Sequence, residues 1–336
     1  MSINETLAQG SNILVYGSMA AYTGAMTAFT ISLAKGRRIE SLQDSAARTA
    51  GASHQARMGS TATLDRPAVS TAITSDDKLG EGRRAGNIGM SLTWLATILL
   101  GGGLALRGFS AHRLPWGNMY EFSLAAAFAV SLSFCILSLN RDLRWLGLFI
   151  TMPVLLDLGV AVTVLYTDSA QLVPALHSYW LAIHVTAMIA CVGAFTVGGA
   201  LSALYLVAEH VENRITAGEK PGRWGTIASR IPAADRLDLM AYRIHAFMFP
   251  MWTFAVVAGA IWAEAAWGRY WGWDPKETWA FITWVIYAAY LHARATHGWR
   301  GRKAAYVALG GFIAILFNYF IVNMFVNGLH SYSGLN

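Results

Sequence analysis

A chain of 336 residues that is 55% hydrophobic and only 13% charged, with a mean hydropathy of +0.41, falls outside the range of ordinary soluble domains, where about a quarter of residues are charged. Its net charge of +6 does not point to nucleic acid, because Lys and Arg collect in the segments between apolar runs. The two cysteines, Cys135 and Cys191, lie inside such runs and read as small packing residues.

Apolar runs of eighteen or more residues recur, each long enough for the ~30 Å hydrocarbon core. They predict eight spans, near 13–34, 88–107, 119–139, 145–166, 179–207, 242–267, 278–297 and 304–326. In lipid the backbone must satisfy its own hydrogen bonds, which leaves helices or a closed barrel. Uninterrupted runs without period-two alternation select helices. The expected fold is an all-α polytopic membrane protein of about eight transmembrane helices. With the N-terminus outside, every Lys and Arg except Arg107, Arg113, Arg269 and Lys276 falls on the inner side. The positive-inside rule then makes both termini extracytoplasmic.

In chain order, residues 1–38 hold the first span. It is not a removable signal peptide, because its apolar run is too long and no basic segment precedes it. It ends at Lys35, Arg37 and Arg38, a stop on the inner face. Residues 39–86 are rich in Ser, Ala, Thr, Gly and charge without periodicity, and are expected as a disordered cytoplasmic linker. Residues 87–336 are the membrane domain. At the outer mouth of the third span, Pro115-Trp-Gly-Asn118-Met-Tyr-Glu121 offers an N-cap with an acidic first turn, or polar groups lining an external site.

The fifth span opens with His177 and His184, seven apart. A histidine inside a span is costly enough to count as functional by default, and His184 lies near the outer surface. His177, His210 and His297 read as loop residues. The inner loop near 208–241 is a linker with a Pro221-Gly222 turn. His245 follows at the inner end of the sixth span, where an imidazole can reach the interface.

Between the sixth and seventh spans, residues 262–277 hold Trp262, Trp267, Tyr270, Trp271 and Trp273. An interfacial belt places one or two Trp at a helix end. The tight W-x3-W-x-W-D spacing also suits a flat apolar platform for a flat ligand, and the residues alone leave both readings open. Asp274, Pro275 and Glu277 form a capping-box-like start for the next helix. His292 lies about fourteen residues further on, roughly 21 Å down a helix. His330 stands in the outward tail.

The segment WGRYWGWDPKETW closely resembles the tryptophan-rich WWD signature of haem-handling proteins in cytochrome c maturation. HSYWLAIHV, FITWVIYAAYLHAR and VNGLHSY follow the same pattern in the same order, so the chain resembles the CcsA/ResC type of system II from about Pro115 to the C-terminus. Its linker is longer than the family's usual one. No C-x-x-C-H occurs, so the chain is not itself a c-type cytochrome.

The resemblance implies haem b as substrate; the long inner loop favours the bacterial cytoplasmic membrane over a plastid thylakoid as location. It implies His184 and His330 as the external axial ligands and catalytic pair, with His292 as a transmembrane ligand. Trp267, Trp271, Trp273 and Asp274 would form the binding shelf, with Arg269 and Lys276 as partners of the propionates. A CcsB/ResB-type protein would supply the second ligand of His292, with His245 as an alternative from this chain. The expected activity is that of the haem-presenting subunit of a cytochrome c synthase, a haem lyase acting on apocytochrome c. Thioredoxin-like proteins would keep the acceptor thiols reduced. Other classes are a haem exporter or chaperone without ligation, a b-type haem electron carrier, and a small-solute transporter; no internal repeat is visible to favour the last.

Overall fold

The computed structural model describes residues 4–35, 69–170, 176–296 and 298–330, with side chains in the second stretch from Gly80 onward. All regular structure among the described residues is helical. The long elements are α1 (Glu5–Lys35), α2 (Val69–Ala111), α3 (Met119–Leu139), α4 (Gly147–Thr163) and α5 (Tyr179–Thr216). The short α6 (Gly225–Ala228) precedes α7 (Ala234–Trp267), α8 (Pro275–Thr296) and α9 (Arg302–Leu316). A π-helical turn, Phe317–Val322, continues α9 into the short α10 (Asn323–Phe325).

Six helices among the described residues are long and apolar enough to cross a membrane: Gly80–Ala111, Met119–Leu139, Arg144–Thr163, Tyr179–Thr216, Ala234–Trp267 and Arg302–Phe325. The chain is therefore a multi-pass, all-α membrane protein. The other two predicted spans are helices of 31 and 22 residues, α1 and α8, which are not among those six.

The expected linker is corrected in part. Residues 36–68 lie outside those described, but the chain is already helical from Val69. An established helix adds residues at little cost, and the Lys35–Glu81 ion pair at 2.8 Å ties this extension to the end of α1.

Packing follows from small residues. Gly10, Gly17 and Gly24 recur every seventh residue on α1 and meet Leu106, Leu99 and Leu92 of α2, so the two helices run antiparallel in close approach. Ser11, Val15, Ser18, Tyr22, Ala25 and Phe29 complete the buried seam. A second group joins α5 to α7 and α9, and α8 to α7 and α9, while α3 bridges the groups by packing on α4 and α5.

Candidate functional site

The Trp-rich loop is held by backbone chemistry at both ends. α7 stops at Gly268, whose φ of 71° is the left-handed cap that glycine adopts without strain, and its N–H bonds the Glu264 carbonyl at 2.8 Å. At the other end Asp274 Oδ1 accepts from Lys276 N–H at 3.2 Å. The Glu277 carboxylate folds back to accept from Gly272 N–H at 2.8 Å and Asp274 N–H at 3.0 Å. The expected capping box is therefore formed. Arg269 joins it, 3.4 Å from Glu277, so this cation is already partnered.

Two histidines face one cavity of about 200 Å³ beside this loop. His184 projects from α5, and its Nδ1 is 2.8 Å from the Ala255 carbonyl of α7. A carbonyl only accepts, so Nδ1 carries the hydrogen, and in the neutral ring Nε2 keeps its lone pair. Gly259 makes room, since a Cβ there would stand 2.6 Å from the imidazole. The ring stacks on Trp262 at 6.0 Å, with 15° between the planes.

His330 reaches the same indole edge-on at 5.4 Å, and Trp267 at 4.8 Å. Its Nδ1 lies 2.8 Å from Asp274 Oδ1, so it too is oriented through Nδ1. Asp274 Oδ2 takes the Leu329 N–H at 2.7 Å. Asp274 therefore both caps α8 and clamps the tail that carries His330, two duties from one carboxylate. Burial works to raise this carboxyl. The His330 hydrogen bond and charge and the Leu329 and Lys276 N–H groups outweigh it and hold it below the usual carboxylate range.

The three tryptophans expected on one shelf part company. Trp271 lines the cavity, and so does Trp262. Trp267 sits behind them against His330. Trp273 points away: its φ is 57° and it is 63% exposed, edge-on to Trp271 and Phe281. That left-handed turn takes the residue out of the row its neighbours form. Lys276 also lines the cavity, and its ammonium has no ion pair or hydrogen bond among the described residues.

The two histidines expected near the inner face, His245 and His292, are not brought together. His292 is exposed on α8. His245, expected at the interface, is fully buried among Phe195, Tyr287 and Tyr290, with neither ring nitrogen bonded among the described residues. A Cβ on Gly198 would lie 2.5 Å from it, so the pocket around the ring is filled. Tyr287 and Tyr290 define the face of α8 toward His245. His292 lies about 140° and 200° around the helix from them, so it looks the other way.

Sequence reasoning missed Trp252 and Tyr319, which line the cavity from mid-helix positions without a local signal. It also missed Asp157, a carboxyl within α4 whose place inside a span was itself the signal.

The family model for cytochrome C assembly proteins matches residues 116–330. The "Cytochrome c biogenesis protein CcsA" of Mesostigma viride is 36% identical over 264 residues, covering 74% of this chain and 85% of that protein. Its namesake in Guillardia theta is 36% identical over 261 residues, covering 74% and 86%. That of Gloeothece citriformis is 36% identical over 279 residues, covering 71% and 85%. With a cavity framed by His184, His330 and the tryptophan-rich loop inside the matched region, the chain belongs to the cytochrome C assembly protein family.

Proposed function

We propose that this chain serves cytochrome c maturation by receiving haem and presenting it, on the extracytoplasmic side, for thioether attachment to the C-x-x-C-H of apocytochrome c. The observation that carries this reading is that His184 and His330 line one cavity, each anchored through Nδ1, so that both Nε2 atoms remain for an iron. Indole faces suit a porphyrin, and the unpaired Lys276 ammonium suits a propionate. The cavity's ~200 Å³ is below the ~300–1,000 Å³ usual for ligand pockets. The ring therefore enters as the His330 tail and the loop draw apart.

In the reaction each acceptor thiol adds across a vinyl group. A C–S bond forms, the thiol hydrogen passes to the vinyl carbon, and no electrons are gained or lost. The protein's share is to fix the vinyls against the thiols. No residue beside the cavity is needed as a nucleophile. In this reading His292 shares an iron with a CcsB/ResB-type partner rather than with His245; its exposure on α8, away from His245, supports this. Eight spans with both termini outside put the loop on the side where apocytochromes fold.

Absorption spectra of the purified protein test the reading. The wild type should show a low-spin bis-histidine band. His184→Ala or His330→Ala should lose it, and free imidazole should restore it. Unchanged bands in both variants would end the proposal. Ligation is separated from export by adding reduced C-x-x-C-H peptide to the complex with its partner: covalent haem product supports ligation, and release of free haem alone favours a chaperone.

A further inference from the structure

The cavity has a second tryptophan-bearing turn, built like the first. Before α3 the chain reads Trp116-Gly117-Asn118-Met119-Tyr120-Glu121; before α8 it reads Trp271-Gly272-Trp273-Asp274-Pro275-Lys276-Glu277. In each, an Asn or Asp caps the helix: Asn118 Oδ1 accepts from Glu121 N–H at 2.9 Å, as Asp274 accepts from Lys276. In each, the glutamate three residues on folds back to the glycine after the tryptophan. Gly117 N–H bonds Glu121 at 2.8 Å, and Gly272 N–H bonds Glu277 at 2.8 Å. In each, arginine secures that glutamate. Arg107 and Arg113 bind Glu121 at 3.2 and 2.7 Å, and Arg269 binds Glu277 at 3.4 Å. The α8 turn has one residue more, Trp273, and that is the residue turned out at φ 57°.

Both turns face the same void, Trp116, Gly117 and Asn118 on one part of its wall and Trp271, Lys276 and Glu277 on another. They arrive from different sides, since α3 packs on α4 and α5 whereas α8 packs on α7 and α9. The Glu121 cluster is the more deeply buried, with Glu121 wholly buried and Arg107 1% exposed, against 7% for Glu277. Two guanidinium groups converging on a buried carboxylate exceed what a helix start needs; one cap suffices for that.

We propose that Trp116 is a ligand-contacting indole, the α3-side counterpart of Trp271, and that Glu121 with Arg107 and Arg113 positions it against the porphyrin. The proposal rests on the haem reading above and adds a wall to it. The bound ring would lie between two W-G turns, one of them fixed by a buried ion cluster and the other by the loop that must open.

The test titrates the purified full-length protein with haem in detergent and follows the Soret absorption and its circular dichroism, which responds to aromatic rings beside a porphyrin. Trp116→Ala should weaken haem retention about three- to ten-fold, the loss of one stacked aromatic contact. The bis-histidine band position should stay unchanged, because the iron ligands are intact. Trp116→Phe should retain most of the haem with an altered Soret dichroism. Glu121→Gln should move the dichroism in the same sense as Trp116→Ala, with Glu121→Asp intermediate. Wild-type haem retention and dichroism in Trp116→Ala would overturn the proposal while leaving the haem reading standing. Should Trp116→Ala not fold, an unchanged dichroism in Trp116→Phe would overturn it equally. A wild-type band that survives His184→Ala and His330→Ala together would sink both.

Discussion

The cavity and the region around His245 treat histidine in opposite ways. At the cavity, His184 and His330 stand together, and each is oriented by an acceptor supplied from another element. Away from it, His245 is buried with neither nitrogen bonded among the described residues, while His292 sits exposed on the far face of its helix. The chemistry is the same, and what differs is the support around it. A metal-binding imidazole needs its second nitrogen occupied so that the first is aimed. The pair His184 and His330 satisfies this within one chain, and the pair His245 and His292 does not.

The largest effect should come from replacing the two cavity imidazoles. His184→Ala and His330→Ala should each abolish low-spin haem in the isolated protein, whereas His292→Ala should leave the cavity's spectrum intact; equal losses in all three would erase the distinction. Next in size is the support itself. Asp274→Asn should lower haem affinity about 10–100-fold, as loss of an outer-shell partner does, measured by haem titration. A wild-type affinity would mean that Asp274 is not the aiming group of His330.

The same carboxylate sets a pH dependence in the haem-free chain. Asp274 titrates lower when folded than when unfolded. Its stabilisation is thus complete above the ordinary carboxylate pKa of about 3.9 and is lost as pH falls through the lower folded value. Proteolysis of the tail should therefore stay slow from neutral pH down to about pH 4 and quicken below it. Tail release near neutrality would show that the clamp is not the Asp274 charge.

Smaller effects separate the tryptophans. Trp271→Ala should weaken haem binding several-fold, whereas Trp273→Ala, an exposed ring, should change it by less than about two-fold. The smallest effect belongs to His245. Replacing a buried imidazole without partners by Phe removes unsatisfied polar atoms, and should leave thermal stability unchanged or raise it by about 1 kcal/mol. Lost haem in His245→Phe would make the buried imidazole a ligand after all.

Much of this was legible in the chain and some was not. Apolar runs located every long helix from α3 to α9, because span length is a local property. The Asp274-Pro275-Glu277 cap was readable for the same reason. The bond between Asp274 and His330 joins residues 56 apart, and no period or spacing announces such a pair. The outward turn of Trp273 depends on one backbone angle, which the W-x-W-D spacing conceals. The helix from Val69 was hidden because its Ser- and Asp-bearing sequence carries no apolar periodicity of its own. Trp116 was passed over because one indole before a cap is ordinary; only the hydrogen bonds of Glu121 set it beside Trp271.

Asp274 stands at the head of α8, and no proline interrupts that helix beyond Pro275. Eighteen residues along it, about 27 Å away, stands His292. A helix transmits displacement along its length, so undocking the tail frees one end of a lever whose other end carries His292. Movement at the cavity is thereby geared through a single shaft to the exposed imidazole near the far end of α8.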